Sequence, residues 1–369
     1  MYHHGLGEKP KKFLHVVYLR EKDAGIPPLN LKVIRSGNVD TLIIKAPKRS
    51  PLLIRMVFLV CFMVFGVYIF STCFNQALKP YKMAKILNLQ FNIPQCPPIN
   101  RSDDPFSHYP RPRTFDRKEC ACNPVRFFAI LSMQRSGSGW FETLLNSHVN
   151  VSSNGEIFGA KDRRSNASAI FNTLDTIYNL DWFSSAAKNE CSAAVGLKWM
   201  LNQGAMEYHR DIVEYFNERG VHIIYLFRRN LLRRIVSMLA NSYDKGARVL
   251  NGTHKSHVHS PLEAEILAGY KPTVDITTLI PNLRNDMEKI NRALVQFNST
   301  RHILLFYEDV INNRTKLREV QEFLGLPYRN LTSRQVKIHK APLLNQIENW
   351  PDVVKQLNGT PYECFLQGK

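Results

Sequence analysis

Phe127–Leu145 reads FFAILSMQRSGSGWFETLL. Its first seven residues, Phe127–Met133, are short and almost continuously apolar, as in a strand buried on both faces. Trp140–Ser147 has helical spacing. Between them the chain turns within Gln134-Arg135-Ser136-Gly137-Ser138-Gly139. Glycines let backbone approach a ligand closely, and a helix start offers unpaired N–H groups and a positive dipole end. The chemistry is that of a phosphate cradle, and Arg135 places a fixed charge inside it. The loop lacks the G-x-x-x-x-G-K-S/T spacing of a magnesium-dependent NTPase. It is not a dinucleotide fingerprint either, because Glu142 stands where a third glycine is required.

Working outward, strand-like runs recur at Ala193–Met200, Val221–Phe227 and His302–Tyr307. Helical spacing occupies 205–219, 231–243, 280–297 and 315–324. Alternating strands and helices predict an α/β fold, a P-loop-like parallel sheet flanked by helices, with ligands at the carboxyl ends of the strands. Ile223–Ser237, IIYLFRRNLLRRIVS, is a second strand–turn–helix. Arg229 at the strand end and Ser237 eight residues on are placed to grip a second phosphate, while Arg233 and Arg234 read as a solvated basic face.

The 369-residue chain carries a net charge of +18, from 49 Lys and Arg against 31 Asp and Glu. Hydrophobic residues at 44% exclude a disordered or collagen-like chain. A balance this basic predicts a polyanionic partner. Met56–Phe74 is uncharged over nineteen residues and predicts one transmembrane helix over 52–74. All eight N-x-S/T sequons, from Asn100 to Asn358, follow that run. They predict a type II arrangement: cytosolic tail 1–51, signal anchor 52–74, luminal Pro-rich stem 75–124 and catalytic domain 125–369. A luminal chain disfavours nucleic acid as the polyanion. Five cysteines follow the anchor, so at least one is free or pairs between chains.

Together the two strand–turn–helix motifs resemble the sulfotransferase superfamily, in particular its Nod-factor and trehalose-type carbohydrate members and plant membrane-bound relatives. Tyr307-Glu308-Asp309-Val310 and Phe323-Leu324-Gly325-Leu326-Pro327 match further elements, and the resemblance covers about 125–350. It implies 3′-phosphoadenosine 5′-phosphosulfate as co-substrate and no metal. It implies that Gln134, Arg135, Ser136, Gly137, Ser138, Gly139 and Trp140 bind the 5′-phosphosulfate. Arg229 and Ser237 would hold the 3′-phosphate, with Lys337 or Lys340 in a late basic loop. Glu156 matches the acidic residue that serves as base, and Gly196-Leu197-Lys198 a third-strand element. Sulfuryl transfer is an in-line displacement, so positioning and fixed positive charge should dominate. Arg135 would stabilise the leaving group, Lys198 the sulfuryl group, and Glu156 would take the acceptor's proton.

The implied protein is a Golgi membrane sulfotransferase acting on a hydroxyl of a luminal glycan or glycoconjugate, with self-association left open. The alternatives are a Golgi glycosyltransferase and a non-catalytic binding protein with a degenerate cradle. Against the first, the only adjacent aspartates, Asp103-Asp104, lie in the stem. Against the second, Arg135, Glu156, Lys198, Arg229 and Ser237 are all present. The loop His254-Lys255-Ser256-His257-Val258-His259 reads as acceptor-binding or solvated rather than as a metal site, because no acidic or Cys ligand stands at useful spacing. His148, at the end of the first helix, reads as structural.

Overall fold

The structure is a computed structural model that describes residues 52–83, 104–183 and 190–367. The tail 1–51, the stem residues 84–103, Cys96 and Asn100 lie outside the described residues.

The first unit is the helix α1 (Leu52–Met83), whose side chains are described over 56–72. The large apolar side chains from Met56 to Phe70 are exposed. Among the described residues no helix is long and apolar enough to cross a membrane. The expected anchor at 52–74 is therefore not established by the fold. The described side chains take in all but the last two residues of the uncharged run Met56–Phe74.

In the second unit, five strands form one sheet: β1 (Arg126–Ser132), β2 (Val151–Ser153), β3 (Ala194–Met200), β4 (Val221–Phe227) and β5 (His302–Phe306). Their order is β2-β3-β1-β4-β5 and every pairing is parallel. The α/β class and the parallel sheet flanked by helices stand as expected. The helices are α2 (Ser138–Asn146), α3 (Ala167–Tyr178), α4 (His209–Glu218), α5 (Leu231–Ala247), α6 (Pro261–Ala268), α7 (Ile276–Gln296), α8 (Tyr307–Asn312), α9 (Thr315–Phe323) and α10 (Trp350–Leu357).

β1 is apolar from Phe127 to Leu131 because it is central. Phe127, Ala129 and Leu131 turn toward α3, α4 and α7, and Phe128 and Ile130 toward α2, α8 and α9. Each large apolar side chain buried this way contributes about 1.5–3 kcal/mol. A third cluster joins α5, α7 and α10 through Leu232, Leu283 and Val353. The strand order reverses beside β1, which opens a crevice at the carboxyl ends of β1, β3 and β4.

Residues 104–124, read as stem, pack onto this unit. Asp104 pairs with Arg126, His108 bridges Val125, and Cys120 is disulfide-bonded to Cys191. Cys364 is free and exposed. The expected helix 205–219 is shorter, because Leu201–Ala205 form a wide π-type turn in which Gly204 has φ +84°.

Candidate functional site

β1 delivers the chain into the cradle at its carboxyl end. Arg135 and Gly137 both take the left-handed region, at φ +65° and +84°. A glycine costs nothing there, whereas Arg135 is held in a strained conformation. The ring of Tyr307 leaves no room for a side chain on Gly137. Gly139 is closed off in the same way by His257, whose Nε2 would lie 2.5 Å from a Cβ. α2 begins at Ser138 with Gly137 as its N-cap and no side chain capping it. Its first N–H groups are thus left for a ligand.

Two buried arginines fix the peptide planes that enter the turn. Arg234 donates from Nε to the Gln134 carbonyl at 2.9 Å, and Arg228 from Nη1 to the Arg135 carbonyl at 3.5 Å. Arg234 also pairs with Asp286 of α7. The expectation that Arg234 sits on a solvated face is overturned: it is 6% exposed.

Over the cradle lies a cavity of about 600 Å³. It brings together Gln134, Arg135, Gly137, Ser138, Gly139 and Trp140 from the cradle. Glu156, Lys198 and Ser237 join them, with Lys337 from the late loop; Lys340 does not line the cavity. Two loops roof it, stitched together by the antiparallel bridge of Val258 to Val336. Arg135 crosses from the cradle to the roof, donating to Ser237 Oγ and the Ser256 carbonyl, each at 3.0 Å. His254 is held by Asp244 at 2.6 Å, so the His-rich loop is a braced roof rather than a solvated strand of histidines. His148 is structural, with Nε2 on the Pro327 carbonyl at 3.0 Å.

Two expected residues fall elsewhere. Ser136 does not line the cavity; its hydroxyl is buried without a hydrogen-bond partner among the described residues. Arg229 is half-exposed, paired with Asp309 and stacked over Phe306 at 4.1 Å. Its place in the cavity is taken by Arg228, whose guanidinium lies 5.2 Å from the Tyr307 ring centre and 3.7 Å from Glu308. Successive residues leaving a strand point to opposite sides, and of the two arginines Arg228 is the one that faces the cavity. The same Glu308 accepts the Arg229 backbone N–H at 2.9 Å.

The cavity wall carries five cations, Arg135, Lys198, Arg228, Lys245 and Lys337, against one carboxylate, Glu156. Burial and the neighbouring Arg228 push Arg135 down to about 10, which leaves it charged at neutral pH. Burial also lowers Lys337, assisted by Arg228 and Arg233. Desolvation in the wall, reinforced by Arg135, pushes His257 and His339 down to about 4, so both are neutral. Lys198 lies between two carboxylates, 3.5 Å from Glu142 and 3.6 Å from Glu156. An uncapped helix start, an unpartnered buried hydroxyl beside it and this charge excess fit a ligand with more than one phosphate-type group. Among the described residues no group of three or more His, Cys, Asp or Glu is placed to hold a metal.

A family model for the sulfotransferase domain matches residues 127–347. Nodulation protein H of Rhizobium meliloti is 23% identical over 256 residues, covering 66% of this chain and 96% of its own. A sulfotransferase from Alicyclobacillus acidocaldarius aligns at 12% identity and a TM-score of 0.33, covering 65% of this chain and 95% of its own. A mouse sulfotransferase solved in complex with PAP aligns at 12% identity and a TM-score of 0.32, covering 69% and 90%. The family match takes in the cradle, the ends of β3 and β4 and both roof loops, and the chain belongs to the sulfotransferase-domain family, as an enzyme of that class.

Proposed function

We propose that the chain transfers a sulfuryl group from 3′-phosphoadenosine 5′-phosphosulfate to a hydroxyl of a luminal glycan or glycoconjugate. We place it in the Golgi membrane, in type II orientation. The observation that carries the donor reading is the cavity wall, with five cations around an uncapped helix start. The donor supplies an activated sulfuryl group on a phosphate leaving group. The cradle N–H groups and Arg135 face the charge that develops on that leaving oxygen. Arg228 and Ser237 hold the second phosphate, in place of the expected pair of Arg229 with Ser237. Lys198 neutralises the group in transit. Glu156, 37% exposed at its side chain, accepts the acceptor's proton as the new oxygen–sulfur bond forms.

The topology rests on the sequence and α1. The uncharged run 56–74 lies within a 32-residue helix whose described apolar side chains are uncovered. All eight sequons follow it.

Thermal melting of the full chain with adenosine 3′,5′-bisphosphate tests the donor reading. At a hundredfold excess over its dissociation constant the bisphosphate should add about 2.7 kcal/mol. The shift is expected to vanish in Arg228→Ala and to persist in Arg229→Ala. No shift in the wild type would remove the donor assignment, and the reverse pattern would return the second phosphate to Arg229.

A further inference from the structure

Glu142 belongs to the helix that makes the cradle, yet it faces away from solvent at 7% exposure. Its Oε1 accepts from Ser153 Oγ at 2.7 Å and from the Gly155 N–H at 2.8 Å. Its Oε2 lies 3.5 Å from Lys198 Nζ. One side chain therefore ties α2 to the turn that carries Glu156 and to the strand that carries Lys198. The Lys198 ammonium is shared almost equally, since Glu156 Oε2 is 3.6 Å away on its other side.

We propose that Glu142 is a positioning residue of the transfer site, which sets Lys198 and the Gly155–Glu156 turn against the cradle. The inference rests on the roles given above to Lys198 and Glu156. Held by Ser153 and the Gly155 N–H on one oxygen and facing Lys198 with the other, the Glu142 carboxylate fixes the ammonium where Glu156 meets it from the opposite side. A displacement of about 1 Å in such a site can cost roughly 10²-fold in rate. Gln203, which donates to Glu156 Oε1, is not altered in the test.

The test compares turnover with bisphosphate affinity on the full chain, following release of the bisphosphate from the sulfuryl donor with water as acceptor. Glu142→Gln keeps the volume and the acceptor for Ser153 and Gly155 but removes the charge that faces Lys198. Turnover is expected to fall roughly 10²-fold. The bisphosphate dissociation constant is expected to change far less, since the variant leaves every cradle donor in place. Glu142→Asp, which keeps the charge, should recover part of the lost turnover. Unchanged turnover in Glu142→Gln, or an equal loss of turnover and bisphosphate affinity, overturns the proposal. Bisphosphate binding is read separately in each variant, so the proposal can fail while the donor reading stands.

Discussion

Lys198→Met is expected to lower the turnover number roughly 10²–10³-fold, about 2.7–4 kcal/mol, with donor affinity much less changed. The reason is electrostatic. Lys198 is 8% exposed, so its charge acts at the cavity with little screening. Its loss removes the cation to which the proposed mechanism assigns the sulfuryl group. It also removes the ammonium that Glu142 and Glu156 share. The measurement is steady-state release of the bisphosphate in the presence of acceptor. A variant that keeps more than a tenth of the wild-type turnover would remove Lys198 from the mechanism.

The sheet was legible where burial and backbone agree. β4 falls on Val221–Phe227 as expected, because a central parallel strand is apolar on both faces and leaves no ambiguity of period. The cradle was legible because its glycines are demanded locally, by φ at Gly137 and by close approach at Gly139. The roof was not. Val258 and Val336 meet only through the fold, and nothing in either loop announces the other. Arg228 and Arg229 show the limit of motif spacing. The eight-residue interval to Ser237 points to Arg229, but the sidedness of the chain leaving β4 puts Arg228 in the cavity and Arg229 on Asp309. Glu142 was visible only as a residue that spoils a dinucleotide loop; its partners lie on two other elements. His254 likewise had no acid at ligand spacing in sequence, yet α5 brings Asp244 to it.

Arg234→Ala is expected to cost about 3–5 kcal/mol of stability, read by chemical denaturation, toward the lower end because Asp286 retains Lys289 at 3.7 Å. Arg234 has an ion-pair partner on another element, Asp286 of α7, and both side chains are at most a tenth exposed. Truncation strands a buried carboxylate and frees the Gln134 carbonyl that Arg234 holds at 2.9 Å. The second loss reaches the cradle, so bisphosphate affinity should fall together with stability. The control is Arg318→Ala, whose pair with Glu322 lies on the surface with both side chains at least 60% exposed. That pair is expected to contribute only about 0.3–0.5 kcal/mol. Both substitutions remove an arginine from a helix and break one ion pair, so the difference between them reports burial together with the hydrogen bond to Gln134. Asp286→Ala and the double variant complete the cycle, and contacting buried partners should couple by at least about 0.5 kcal/mol. If Arg234→Ala costs no more than Arg318→Ala, the cradle is not braced from α7, and its strained Arg135 must be held by Arg228, the roof and α5.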